Sequence, residues 1–213
     1  MKLLISGFEP FGEDAINPSQ AAVMSLPDHL EGVDLIKVIL PVVRGQAADR
    51  LKALMVAHRP DAVVCVGQAG GRSGLTIERV AINVDDYPMP DNDGHQPFDE
   101  PIAPGGPAAY LLTLPNKPIV AAWKAAGYLA SVSNTAGTFL CNHVAYATAH
   151  FAAYHFPQMR TGFIHLPYST AQSTAHPEAF AMTPEALTQA LRIAVGVLAM
   201  AQHEPVRFGG ETC

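Results

Sequence analysis

The feature that most constrains this chain is its punctuation. Short apolar runs are each cut off by glycine or proline, and helical patterns lie between them. Lys2–Ser6 reads as a buried strand, stopped by a stretch that carries Gly7, Pro10 and Gly12. Val33–Leu40 ends at Pro41, and Asp61–Val66 (DAVVCV) ends at Gly67. Leu75–Val84 is rich in β-branched residues and reads as extended, and Leu129–Val132 and Gly162–Leu166 complete the set. Ala47, Leu51, Leu54 and Met55 share one helix face, as do Val144, Ala147, Phe151 and, less cleanly, Tyr154. A last helix has Thr183 as its cap, Pro184 in its first turn and Glu185 against its dipole. Leu187, Leu191, Ala194, Val195 and Leu198 then recur at helical spacing. Short buried strands alternating with helices predict an α/β fold with a mixed, largely parallel sheet. No repeat or low-complexity linker divides the chain, so the expectation is a single domain over residues 1–213.

Composition narrows the partners. Apolar residues make up 49% of the 213 and charged residues 15%, against about 25% charged in soluble domains. Two explanations stand: outer faces covered by another subunit, or alanine-rich helix packing. The net charge is −6 with no basic patch, which argues against nucleic acid. No apolar run approaches the ~18 residues of a membrane span. The N-terminus offers only Leu3, Leu4 and Ile5 before Gly7, where a signal peptide needs ~7–15 apolar residues. The expected location is therefore cytoplasmic. Cys65, Cys141 and Cys213 are odd in number and widely spaced, which predicts free thiols.

One stretch fits neither pattern. Asp85–Pro107 holds six prolines and six acidic residues and keeps no helix or strand signal. So long a loop serves as a functional lid or a subunit contact, or is a surface excursion. Its Asp91-Asn92-Asp93-Gly94 begins like a calcium loop, but the twelfth position is Ile102, which has no ligand oxygen to offer.

The chemistry-bearing residues sort by elimination. Gly67, Gly70, Gly71 and Gly74 follow a strand without the spacing of a dinucleotide fingerprint or a phosphate-binding loop. Of His143, His150, His155 and His165, His150 and His155 are five apart and do not share a helix face, and no H-E-x-x-H or paired C-x-x-C supports a metal site. Cys141 follows a turn of small residues and begins a helix, where the dipole is expected to lower a thiol's pKa and free N–H groups can hold an oxyanion. The competing reading is a small buried hydrophobe. Cys65, inside Val63-Val64-Cys65-Val66, reads as core, and Cys213 as a terminal bystander. A thiol nucleophile needs a proton shuttle, and His165 lies where a strand ends and ligands gather. The imidazole needs a third group to orient it, and Glu78 is a carboxylate amid apolar residues. An ion pair with Arg72 or Arg79 is the alternative role for Glu78.

Three stretches together resemble the pyroglutamyl peptidase I (pyrrolidone-carboxylate peptidase) family. They are Gly7-Phe8-Glu9-Pro10-Phe11-Gly12 with Asn17-Pro18-Ser19; Gly67-Gln68-Ala69-Gly70-Gly71-Arg72 with Leu75–Asn83; and Ser133–Asn142, which ends Thr138-Phe139-Leu140-Cys141-Asn142. The resemblance covers essentially the whole chain. It implies a three-layer α/β/α domain and a cysteine exopeptidase that removes an N-terminal pyroglutamyl residue from peptides. It implies Cys141 as nucleophile, His165 as base and acid, and Glu78 as orienter. Phe8 and Phe11 would wall the lactam pocket, with Gln68 and Leu140 as further contacts. No metal, no cofactor and a homotetramer are implied as well. One departure is visible: after His165-Leu166-Pro167-Tyr168 the family often continues Pro-Glu-Gln, whereas here the chain reads Ser169-Thr170-Ala171-Gln172. That puts the loop geometry and a subunit contact in question more than the chemistry.

Overall fold

Burial on both faces is what makes each apolar run a strand. In the computed structural model, which describes residues 1–201, β1 (Lys2–Phe8), β3 (Val33–Leu40), β4 (Ala62–Gln68) and β9 (Arg160–Leu166) form the parallel centre of a seven-stranded sheet. The order across it is β2-β3-β1-β4-β9-β5-β8, where β2 is His29–Leu30, β5 is Leu75–Glu78 and β8 is Ala130–Ser133. β5 runs antiparallel to β9 and β2 antiparallel to β3, so the sheet is mixed and largely parallel, as the sequence predicts. Cys213 lies outside the described residues.

Side-chain alternation sorts the strands onto two helix layers. Leu3, Ile5, Val64, Val66, Ile77, Ile164 and Leu166 pack toward α1 (Pro18–Met24), α3 (Asn116–Ala125) and α5 (Pro184–Met200). Leu4, Phe8, Val63, Cys65 and Phe163 pack toward α2 (Gln46–His58) and α4 (Leu140–His155). Thr183 caps α5 as read, its hydroxyl accepting from the Ala186 N–H.

The extended run over 75–84 does not stay in one sheet. After Glu78 the chain turns out at Arg79, and β6 (Val80–Ile82) pairs antiparallel with β7 (Ala109–Leu111) as a separate hairpin. The cause is a side chain 60 positions on. Asn142 Oδ1 accepts from the Ile82 N–H, and its Nδ2 donates to the carbonyls of Ile82 and Val84. The hairpin thereby covers α4 from outside. This corrects the face read for α4: Val144 and Ala147 are buried, but so are Ala145, Tyr146, Thr148 and Ala149, while Tyr154 is exposed. A helix covered on both sides keeps no single apolar stripe.

Two helices escape the sequence pattern. α1 is only seven residues long and is set by its cap, Asn17, whose Oδ1 accepts from the Ser19 N–H and hydroxyl. α3 begins among Pro115 and Pro118, which interrupt its period, and buries Ile119 and Trp123.

Asp85–Pro107 holds no regular strand or helix beyond one bridge, Asp85 to Glu100. Asp91 organises it by accepting from backbone: Oδ1 from the N–H groups of Asp93 and His95, and Oδ2 from that of Arg44. The departure after Tyr168 also has a local account. β10 (Tyr168–Ser169) pairs with β11 (Ala181–Met182), and Ser169 and Gln172 form a reciprocal capping box around the turn Thr170–Gln172.

Candidate active site

The sheet register alone brings two of the three catalytic candidates, His165 and Glu78, toward one place. Gly67 of β4 stands opposite His165 of β9, and Thr76 of β5 stands opposite His165 from the other side. Period-two alternation then puts Gly67, His165 and Glu78 on the face that carries α4. Glu78 is diagonal to His165 across the antiparallel pair, a span that a long side chain covers. His165 Nδ1 lies 2.8 Å from Glu78 Oε1. An ionised carboxylate only accepts, so Nδ1 carries the proton and Nε2 keeps a free lone pair. Sequence placed these residues 87 apart, and the structure joins them.

The thiol arrives from the helix. Cys141 is the second residue of α4, whose N-cap Phe139 has no side chain able to cap it. The first backbone N–H groups of the helix, at Leu140, Cys141 and Asn142, thus have neither an intrahelical acceptor nor a side-chain one. Gly67 makes room for the sulfur: a Cβ there would lie 2.9 Å from Cys141 Sγ and 2.8 Å from the Phe163 ring. The Phe163 ring in turn packs on His165, with centroids 4.6 Å apart. The sulfur therefore lies against Gly67, the residue in register with His165, at the C-terminal edge of the parallel strands.

Electrostatics correct one expectation. The thiol pKa is not lowered. Burial pushes Cys141 from 9.0 up to about 12, with the Glu78 charge acting the same way and Arg72 opposing. A helix dipole is worth about 0.3–1 kcal/mol, less than one pKa unit, so burial wins. Burial thus favours the protonated form of this thiol. Burial also lowers His165 below 6.5, against the pull of Glu78. Burial disfavours the Glu78 charge, yet the hydrogen bond and charge of His165, with the nearby Ser133 hydroxyl and Arg72, hold its carboxyl below the usual range. A neutral imidazole, an anionic carboxylate and a protonated thiol are the forms these directions favour, a set chemically able to couple proton transfer to nucleophilic attack. Cys65, fully buried and pushed up to about 11, is the core residue it was read as.

The pocket candidates divide. Phe11 is partly exposed and packs on Phe139, just before the nucleophile, at a 6.1 Å centroid distance. Leu140 is buried at the helix start. Phe8 lies deeper, 3% exposed, against Phe163 at 6.4 Å. Gln68 sits past the thiol's neighbour Gly67 and alternates to the other face. Its Nε2 donates to Asp14 Oδ2, and its Oε1 accepts from Gln172 Nε2. Those bonds tie together the Phe11 loop, the end of β4 and the Ser169–Gln172 turn. The Asn17-Pro18-Ser19 motif is structural: Ser19 Oγ accepts from the Phe8 N–H, and Asn17 Nδ2 donates to the Glu9 carbonyl.

Sequence reasoning passed over Tyr87 and Phe139. Tyr87 meets Phe139 edge-on at 4.7 Å and carries the long loop onto the aromatic wall. Phe139 lay inside the quoted cysteine stretch, so proximity to Cys141 was a usable signal; Tyr87 offered none.

The comparisons with known proteins give the family and the fold. The sequence profile of the family described as pyroglutamyl peptidase matches residues 1–201. A pyrrolidone-carboxylate peptidase of Finegoldia magna is 49% identical over 212 residues, covering 100% of both chains. One from Treponema denticola is 41% identical over 220 residues, again covering 100% of both. The crystal structure of pyroglutamyl peptidase I from Bacillus amyloliquefaciens superposes with a TM-score of 0.93 at 42% identity, covering 98% of this chain and 99% of that one. A pyrrolidone carboxyl peptidase variant from Pyrococcus furiosus gives 0.90 at 37% identity, covering 95% and 100%. With a family profile over residues 1–201 and whole-length matches of this kind, the chain belongs to the pyroglutamyl peptidase family.

Proposed function

We propose that this chain is a cysteine exopeptidase that hydrolyses the bond after an N-terminal pyroglutamyl residue of a peptide. As the Cys141 sulfur attacks the pyroglutamyl carbonyl carbon, His165 Nε2 takes the thiol proton. The carbonyl oxygen becomes an oxyanion beside the uncapped N–H groups that open α4. Glu78 stabilises the imidazolium, which then protonates the leaving amine as the C–N bond breaks. Water, deprotonated by His165, attacks the thioester and releases pyroglutamate and the thiol. No metal and no cofactor enter these steps. The observation that carries the reading is the His165–Glu78 contact beside Gly67 and the Cys141 sulfur.

The substrate end is neutral, because the lactam ties up its amine. Phe11, Phe139 and Leu140 supply an apolar wall suited to that ring, with Phe8 behind it, and Gln68 would reach the lactam by exchanging one of its bonds to Asp14 and Gln172. A site that pairs the lactam N–H and C=O discriminates strongly against proline, which lacks that carbonyl. The reading includes a homotetramer in the cytoplasm. Exposed apolar Phe98, Leu111 and Tyr154 support subunit contacts, and no helix of the described residues is long and apolar enough to cross a membrane.

The test is release of a chromogenic amine from a pyroglutamyl amide, beside the prolyl and glutamyl amides. The expected result is turnover of the first alone, with Cys141→Ala inactive. Wild-type inactivity points to a lactam-binding protein, and preference for another amide points to an amidase of different specificity. Light scattering checks the tetramer.

A further inference from the structure

Glu78 is buried completely, yet its hydrogen bonds are concentrated on one oxygen. Oε1 accepts from His165 Nδ1 at 2.8 Å and from Arg72 Nη1 at 2.6 Å. Oε2 is buried with no hydrogen-bond partner among the described residues. Arg72 reaches further with the same guanidinium. Its Nη1 also contacts the Thr76 hydroxyl, and its Nη2 donates to the Thr135 carbonyl at 2.8 Å. Thr76 is the residue in register with His165. Thr135 belongs to the turn that leads into the Cys141 helix. One side chain, 26% exposed, thus fastens the orienting carboxylate, the strand beside the base and the loop before the nucleophile.

We infer that Arg72 is a positioning residue of this site, holding Glu78 in the orientation that His165 needs and fixing the loop that delivers Cys141. The inference rests on the hydrolase reading of the preceding subsection, and goes beyond it by assigning a role to a residue outside the triad.

The physical case has three parts. A carboxylate fully removed from water needs donors, or it takes up a proton. Arg72 supplies a fixed positive charge where Nδ1–H supplies only a dipole. A guanidinium also donates in several fixed directions at once, so it sets distances between segments that an ammonium does not. Finally, a cation this near disfavours a second cation on His165, and Arg72 acts on the imidazole in that direction. It keeps the base neutral at rest while Glu78 still steadies the imidazolium formed during attack.

Arg72→Met and Arg72→Lys test this against wild type with two readouts. The first is the pH profile of pyroglutamyl-amide hydrolysis. Arg72→Met is expected to lower kcat about tenfold or more, with KM changed by about twofold at most. The acid limb of kcat/KM is expected to move upward by about half a pH unit or more, because imidazolium loses its opposing charge. Arg72→Lys is expected to keep the acid limb near wild type and recover only part of kcat, since it restores charge without the fork. The second readout is the His165 imidazole titration by NMR in a Cys141→Ser background, where the same upward shift is expected without any turnover. An unmoved acid limb and titration overturn the inference, as does a rise in KM alone. Lack of wild-type turnover with a moved titration overturns the hydrolase reading and leaves the Arg72 assignment standing. If Arg72→Met does not fold, Arg72→Lys decides: full kcat then overturns the inference, and partial kcat supports it.

Discussion

Among the described residues, two buried carboxylates each join a histidine to an arginine, and one of these sets lies beside a thiol. In the first, His165 Nδ1 and Arg72 Nη1 share Glu78 Oε1 at 2.8 and 2.6 Å. In the second, His143 Nδ1 and Arg44 Nε share Asp85 Oδ2, both at 2.8 Å. Both carboxylates are fully buried, and both histidines are nearly so. The sets differ in what surrounds them. His165 ends a strand next to a glycine that leaves space for Cys141 Sγ. His143 sits inside α4 and faces the base of the long loop, where Arg44 also reaches Glu100. The contrast teaches that an oriented imidazole is not itself a catalytic device. One set has a thiol beside its strand, and the other pins the long loop to α4.

That contrast can be broken from the largest expected effect downward. His165→Ala is expected to lower kcat/KM about 10³-fold or more, whereas His143→Gln keeps kcat within a few-fold. Steady-state kinetics on the pyroglutamyl amide checks both. Gly67→Ala comes next. Its new Cβ drives into Sγ and the Phe163 ring, and a 1 Å misplacement at a reacting centre costs about 10²-fold. Thermal denaturation of the same variant separates that loss from an overpacking penalty of about 1–3 kcal/mol.

Asp85→Asn leaves His143 and Arg44 without their anion, and is expected to cost about 3–5 kcal/mol of stability with kcat largely kept. Urea unfolding reads it. A large kcat loss instead makes the second set part of the catalytic machinery.

A smaller effect comes from pH. His165 titrates below 6.5 in the folded protein, so the unfolded chain binds the extra proton and stability falls as pH drops below 6.5. Glu78 is also lowered, so its contribution is present above 4.5 and is lost as pH falls through its folded value. At the alkaline end the unfolded thiols ionise near 9.0 while Cys65 and Cys141 hold their protons to about 11 and about 12. Stability therefore falls again above pH 9. Denaturation midpoints across pH 4–10 test the signs, and Cys141→Ser is expected to soften the alkaline fall.

The architecture was legible where a residue's own period carried it. Val33–Leu40 became β3 with the same bounds, and Thr183-Pro184-Glu185 opened α5. What was illegible depended on distant partners. The 75–84 run splits because Asn142 takes its later half away. The α4 face disappears because the hairpin and the loop cover it, the Tyr146 hydroxyl donating to the Pro107 carbonyl. The thiol's pKa was misjudged for a related reason: a dipole is a property of the helix, but burial is a property of what packs around it.

Sequence alone determined the alternation, and with it an α/β chain whose strands are buried on both faces. It also determined the residue types: a thiol at a helix start, a histidine at a strand end and a carboxylate among apolar neighbours. Those are local facts, fixed by period and by neighbours in the chain. Tertiary structure decided which of two buried histidines stands opposite the glycine beside the thiol, which arginine serves Glu78 and why position 67 has no side chain. Each of these is a contact between segments far apart in the chain, made by strand register and close packing, and no spacing along the chain encodes such a distance.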